Sequence, residues 1–284
     1  MTGAPRRRLD VEMVRRGLVG SRAQAERLVS KRLVLVGGAP ASKCSRLVAA
    51  DEPVTVLEPA ARYVSRGGEK LAHALAMLAV PVRGICVDIG ASTGGFTDCL
   101  LQHGADRVVA VDSGHGQLDR RLRSDGRVEL LERTNARDLL SRRPDLRSAA
   151  SLVTADVSFI SLTVLAAVLV DCADPGGGEL LLMVKPQFEV DRVAATRGRG
   201  VVRSDDLRRA AVRRVAGALV EAAVTVAAVV ASPLLGPAGN AEFFLYGRRT
   251  SGAGPGAGGT SDERIATMID AALAAAPDRP GGRP

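Results

Sequence analysis

The chain has 284 residues, room for one large domain and a small one, and 46% hydrophobic content, enough for a real core. Aromatic residues make up only 2% and Trp is absent, which argues against nucleic-acid recognition through aromatic stacking platforms. The net charge of +8 favours a polyanionic partner and is unevenly placed, because residues 1–62 hold twelve Lys or Arg against six Asp or Glu.

Residues 6–58 read as one small α/β unit. Leu9, Met13, Val14 and Leu18 share a helical face, and Gly17 and Gly20 punctuate its end. Ser21 is a good N-cap for a second helix over Arg22 to Lys31, with Ala25, Leu28 and Val29 apolar. A strand at Leu33 to Val36 runs into a Gly37-Gly38 hairpin turn, and a further strand covers Val54 to Val56. Arg6, Arg7, Arg15, Arg16, Arg22, Arg27, Lys31, Arg32 and Lys43 lie on or beside these elements. A row of cations at helical spacing is by itself an ordinary solvated face.

The stretch from Leu9-Asp10-Val11 through Arg16-Gly17-Leu18-Val19-Gly20-Ser21-Arg22-Ala23-Gln24-Ala25 to Val34-Leu35-Val36-Gly37-Gly38 and Lys43 resembles the S4 RNA-binding domain. It departs from that pattern at Gly37, where the family commonly has Asn; either residue suits a turn with positive φ. The resemblance implies that the nine cations above bind RNA.

Residues 59–65 form a linker, and from 66 to 249 strands and helices alternate. Apolar runs predict strands near 85–89, 107–112, 127–132, 152–156, 180–184, 224–232 and 242–248, with helices near 68–79, 95–103, 161–173 and 205–222. Such alternation predicts a mostly parallel sheet covered on both faces. Residues 250–284 read as a flexible C-terminal tail rich in Gly, Ala and Pro, with a weak helix allowed at 261–274 and no function assigned.

Cys44, Cys86, Cys99 and Cys172 form no C-x-x-C pair, so reduced thiols in a cytoplasmic protein fit better than disulfides or zinc, and no metal is expected. Arg6-Arg7-Arg8 precedes no apolar run, so no signal peptide is read, and Val215 to Ala231 contains Glu221 and reads as a helix followed by a strand. No membrane partner is expected.

The richest local signal is Asp88-Ile89-Gly90-Ala91-Ser92-Thr93-Gly94-Gly95-Phe96, a strand running through a glycine-rich turn into a helix. Glycines there admit close approach of backbone to a ligand. The order D-x-G-x-x-x-G-G differs from the G-x-G-x-x-G dinucleotide fingerprint, which disfavours hydride-transfer enzymes. An acid before the turn repels phosphate and suits a cationic ligand, such as the amino group of an adenosylated sulfonium amino acid. Asp88, Gly90, Ser92, Gly94, Gly95 and Phe96 are therefore cofactor-binding candidates. Asp112 ends the second strand, placed to accept the ribose hydroxyls of a nucleoside, and Asn135 follows the third, within reach of an adenine edge.

Asp156 and Lys185 end the next two strands, Glu242 begins the last, and Lys70 lies on the helix before the sheet. Lys70 alone reads as helix surface and Asp156 alone as a turn cap. Lys185, straight after Leu180-Leu181-Leu182-Met183-Val184, sits at the mouth of a buried strand, where lysine needs a partner or a task.

These four residues match the K-D-K-E tetrad of the FtsJ-like ribose 2′-O-methyltransferases. With the S4 module, Tyr63-Val64-Ser65-Arg66-Gly67-Gly68-Glu69-Lys70-Leu71, the glycine turn and Val184-Lys185-Pro186-Gln187-Phe188-Glu189, the chain resembles the TlyA family over residues 6–249. The resemblance implies a Rossmann-like S-adenosylmethionine methyltransferase sheet (α/β) with a small N-terminal S4 domain. It implies S-adenosyl-L-methionine as cofactor and methylation of a cytidine ribose 2′-hydroxyl in ribosomal RNA, within ribosomal subunits and not DNA. Lys70, Asp156, Lys185 and Glu242 would be catalytic, with Asp156 also beside the cofactor. Lys185 would act as base or as stabiliser of the alkoxide, since burial and a second cation lower a lysine's proton affinity. Lys70 would add positive charge while the two acids orient the lysines. Arg66 and the basic loop with Arg192, Arg197, Arg199 and Arg203 would clamp phosphates. A non-catalytic ribosome-assembly factor is the competing class, which the intact tetrad disfavours. The hemolysin name carried in the family suggests a cytolysin, which the lack of a clean apolar span disfavours.

Overall fold

The computed structural model describes residues 6–57, 62–190, 200–250 and 259–277. Contacts divide the chain into two units, Met1–Ala61 and Arg62–Pro284.

In the first unit a short β1 (Arg7–Arg8) leads into α1 (Leu9–Arg15), and Ser21 caps α2 (Arg22–Ser30) by accepting from the Gln24 backbone N–H. β2 (Val34–Val36) turns through Gly37 and Gly38 into β3 (Ala39–Pro40). Both turn glycines have positive φ, 60° and 82°, the geometry a tight hairpin requires. β4 (Leu47–Val48) pairs with β1, and β5 (Val54–Val56) pairs antiparallel with β2. Leu9, Met13, Ala25, Val29, Val34 and Val36 form the core, whereas Val14, within α1, and Leu18, beyond its end at Arg15, both expected on the buried face, are each 37% exposed.

The second unit begins with Tyr63, buried against Gly68 of α3 (Arg66–Leu78). A Cβ at Gly68 would stand 2.3 Å from the tyrosine ring, so residues read as linker are part of this unit's core. The chain then continues through β6 (Ile85–Ile89), α4 (Gly95–Gln102), β7 (Arg107–Val111), α5 (Arg120–Arg123) and β8 (Val128–Leu131). After α6 (Leu139–Arg142) come β9 (Leu152–Ala155), α7 (Leu162–Cys172), β10 (Glu179–Val184) and α8 (Pro186–Glu189). It ends with α9 (Asp205–Glu221), β11 (Val224–Ala231), β12 (Phe243–Arg249) and α10 (Asp262–Ala274).

The seven strands lie in the order β11-β12-β10-β9-β6-β7-β8. β12 runs antiparallel to both neighbours and the other pairings are parallel. The strands are nearly continuous apolar runs because helices cover both faces, α3 and α4 on one and α7, α9 and α10 on the other. α10 buries Ile265, Ile269 and Ala272 against β11 and α9, so this part of the expected flexible tail is a docked helix. Strand order reverses between β6 and β9, and the crevice opens at their carboxyl ends.

Candidate active site

Two adjoining cavities occupy that crevice and share Gly90, Ser92 and Asp156 in their walls. The first, about 490 Å³, is bounded by the ends of β6, β7 and β9 and includes Asp112, Gln117, Asn135, Val157, Phe159 and Ile160. The second, about 330 Å³, is bounded by Arg66, Lys70, Phe96, Lys185, Leu235 and Glu242 among others. The four residues expected to act together therefore meet at one cleft.

They meet as two ion pairs. Lys70 Nζ donates to Glu242 Oε2 at 2.5 Å, joining positions 172 residues apart, and both residues are buried. Lys185 Nζ stands 2.7 Å from Asp156 Oδ1 and donates to Ser158 Oγ at 3.0 Å. Ser158 lies two residues past Asp156, but only the fold reveals it as a partner of Lys185. Glu242 immediately precedes β12 instead of beginning it.

The glycine turn divides by role. At Gly90, φ is 84° and a Cβ would meet the Asp156 carbonyl oxygen at 2.8 Å, so glycine lets the turn pack directly on the Asp156 backbone in the wall both cavities share. Gly94 faces away from both cavities, where a Cβ would strike Leu122 at 2.2 Å; its task is packing, and its expected contact with cofactor is corrected. Gly95 borders the second cavity but is packed equally tightly, a Cβ there meeting Ser65 Oγ at 2.2 Å. Phe96 stacks on Phe244 at 6.0 Å and lines the same cavity.

Asp88 is the second correction. It is fully buried inside β6 and lines neither cavity, so it does not present its carboxylate to a ligand. Its oxygens instead accept from Thr97 Oγ1 at 2.7 Å and Thr154 Oγ1 at 3.1 Å. Burial pushes its carboxyl up to about 7, against the pull of the two threonine hydroxyls. Asp88 thereby ties the first turn of α4 to β9, below the glycine turn.

Asp112 occupies the first cavity wall and accepts the backbone N–H groups of Ser92 and Gly114, each at 2.7 Å. Each carboxylate oxygen retains a lone pair, so the residue can still accept from two hydroxyls. Asn135 borders the same cavity while capping the following turn, its Oδ1 accepting from the Arg137 N–H. A nucleoside recognised through ribose hydroxyls and a base edge fits this donor and acceptor set.

Phe159 is the unforeseen feature. It has φ of 67°, is 92% exposed at the first cavity, and lies 5.2 Å from the Phe188 ring. A composition poor in aromatics hid an aromatic placed where it matters.

The predicted RNA-binding cations separate into two groups. Arg15 and Arg16 both hold Glu12, at 2.6 and 2.7 Å, and Arg22 holds Asp10 at 2.8 Å. Arg16 also donates to the carbonyls of Ala49, Ala50 and Glu52, so it fastens the β4–β5 connection and is not free for a phosphate. Arg7 lies 3.9 Å from Glu12. Arg6, Arg27, Lys31, Arg32 and Lys43 are exposed and enter no ion pair among the described residues. Arg66 borders the second cavity and donates to the Leu235 carbonyl at 3.1 Å. Arg192, Arg197 and Arg199 lie outside the described residues.

Residues 63–249 match the FtsJ-like methyltransferase family and residues 7–54 the S4 domain. The chain is 44% identical over 261 residues to the 16S/23S rRNA (cytidine-2′-O)-methyltransferase TlyA of Mycobacterium tuberculosis, covering 91% of this chain and 96% of that protein. It is 35% identical to Hemolysin A of Brachyspira hyodysenteriae, covering 84% of this chain and 98% of that one. A solved Streptococcus thermophilus structure carrying a hemolysin name superposes with a TM-score of 0.67 at 35% identity, over 96% of this chain and 97% of its own. Among the described residues, no helix is long and apolar enough to cross a membrane.

Proposed function

The chain belongs to the TlyA family of S4-linked, FtsJ-like ribosomal RNA methyltransferases, and on that premise we propose how its cleft methylates a cytidine ribose 2′-hydroxyl. The observation that carries the reading is the convergence of Lys70, Asp156, Lys185 and Glu242 on a cavity that shares Gly90, Ser92 and Asp156 with a nucleoside-sized neighbour.

S-adenosyl-L-methionine supplies an electrophilic sulfonium methyl. Asp112 and Asn135 would hold its ribose and base, in the cavity that shares Gly90, Ser92 and Asp156 with the one lined by the two lysines. A ribose hydroxyl is a weak nucleophile, and negative charge grows on its oxygen as its proton passes to solvent water while the oxygen takes up the methyl. An ammonium has three N–H donors. Lys185 gives one to Ser158 and is ion-paired with Asp156, so its ammonium can still turn a donor toward that oxygen. Lys70, neutralised by Glu242, lines the opposite wall and fixes the cleft's shape.

The substrate side follows from the same geometry. Exposed Phe159 offers an apolar face to an unpaired base, and free Arg27, Lys31, Arg32 and Lys43 offer charge to phosphates. We infer that the substrate is ribosomal RNA within assembled subunits in the cytoplasm; DNA, lacking a 2′-hydroxyl, presents no nucleophile.

The test is transfer of labelled methyl from S-adenosylmethionine to unmethylated ribosomal subunits. Wild type should place label on a ribose 2′-oxygen. Lys185→Ala should fold, bind cofactor and lose about a hundred- to ten-thousandfold in kcat. Near-normal transfer by the variant would remove Lys185 from the chemistry. No transfer by wild type, with RNA and cofactor both bound, would favour a binding factor.

A further inference from the structure

The motif that follows β10 ends in Glu189, which the mechanism leaves unused. This carboxylate is 3% exposed and borders neither cavity. Among the described residues no cationic side chain reaches its carboxylate oxygens, and a buried acid so placed needs another source of compensation. Here that source is the start of α7: Oε1 accepts from the Leu162 N–H at 2.9 Å and Oε2 from Ser161 Oγ at 2.5 Å. Both donors sit where a helix leaves its first N–H groups unpaired and favours negative charge. Arg214 of α9 fixes the same residue by donating to its main-chain carbonyl at 2.8 Å.

The contact joins two segments that carry the chemistry. Asp156 and Ser158 lie on the loop from β9 to α7, and Lys185 lies at the junction of β10 and α8. Those segments touch at one end through Lys185 and at the other through Glu189, with Phe159 against Phe188 between them. We propose that Glu189 is a positioning residue for methyl transfer, holding the β9–α7 loop against the end of β10 so that Lys185 keeps Asp156 and Ser158. This rests on the role given to Lys185 above. Without Glu189 the loop can draw away from Lys185, and a displacement of about 1 Å at reacting groups costs on the order of a hundredfold.

The chain has only four lysines, Lys31, Lys43, Lys70 and Lys185, so isotope-labelled lysine gives a spectrum in which each side chain is separately visible. Wild type, Glu189→Ala and Glu189→Gln are compared in subunit methylation, in cofactor binding by calorimetry, and by lysine side-chain NMR. For Glu189→Ala, kcat should fall about ten- to a hundredfold with cofactor affinity unchanged, and the Lys185 signal should move while that of Lys70 stays. Glu189→Gln, whose amide can accept from Leu162 and donate to Ser161, should retain most activity. Wild-type kcat in Glu189→Ala overturns the proposal, as does a loss in which Lys70 and Lys185 signals move together. Should Glu189→Ala fail to fold, Glu189→Asp, one methylene too short to reach both donors, is judged by the same signals. If wild type itself shows no transfer, the functional reading fails, while the Lys185 signal still decides whether Glu189 positions it.

Discussion

Lys70–Glu242 and Lys185–Asp156 bring the same two charges to one cleft, yet their surroundings are opposite. The first pair is sealed, with side chains 8% and 1% exposed, and it joins the helix before the sheet to the approach of its last strand. The second is wetter, with side chains 12% and 24% exposed, and sits on loops leaving adjacent parallel strands. A sealed pair has surrendered its hydration and depends wholly on its partner. A pair near solvent is held less tightly and can share its donors with an incoming oxygen. On the mechanism proposed above, one cleft thus separates a fixed wall from a working group, using residue types that look equivalent in the sequence.

The largest effect should come from breaking the sealed pair. Glu242→Ala strands a buried ammonium, and losing one partner of a buried pair costs about 3–5 kcal/mol. Urea unfolding should show that loss for Glu242→Ala, whereas Asp156→Ala should cost about 1 kcal/mol or less while abolishing most methyl transfer. Replacing both members, as Lys70→Met with Glu242→Leu, should restore stability without restoring activity. Equal destabilisation by Glu242→Ala and Asp156→Ala would erase the distinction.

Asp88 extends the comparison to a sealed carboxylate that, among the described residues, is held by two threonine hydroxyls and no ion pair. Its carboxyl rises from 3.8 to about 7 on folding, so between those values the folded chain holds a proton that the unfolded chain has lost. Stability attributable to Asp88 should therefore fall as pH rises from about 4 to about 7, then level off. Asp88→Asn removes the ionisation and should flatten that part of the profile, read as unfolding midpoint against pH. Identical profiles would mean that the carboxylate ionises without cost.

Much of this site was legible because its polar residues directly follow apolar runs: Asp112, Asp156 and Lys185 all stand one residue past a strand. That position is set by local pattern, and the parallel topology then gathers the strand ends. What stayed hidden depends on contacts between distant segments. Asp88 reads as a ligand until α4 and β9 bring Thr97 and Thr154 to it. Gly94 reads as a cofactor-binding glycine until Leu122 fills the space a Cβ would need. Glu189 closes the motif after β10 and Ser158 lies just past Asp156, but their partners are 28 and 27 residues away. α10 had its apolar spacing at Ile265, Ile269 and Ala272, obscured by the Gly and Pro around it.

The smallest effect belongs to the first unit, where sealed and open charges recur among arginines. Arg16 is spent on Glu12 and three main-chain carbonyls, while Arg27 stands exposed with no ion pair among the described residues. A phosphate contact releases counterions, so its loss should lower the slope of log affinity against log salt by about 1. Arg27→Ala should show that change in RNA binding, with its unfolding midpoint unmoved. Arg16→Ala should do the reverse: the carbonyls of Ala49, Ala50 and Glu52 lose their donor and Glu12 keeps only Arg15 and the distant Arg7. Its midpoint should drop while the salt slope stays. If Arg16→Ala alone changed the slope, the ion pairs of α1 would have to open on RNA, and the line between structural and binding arginines would move.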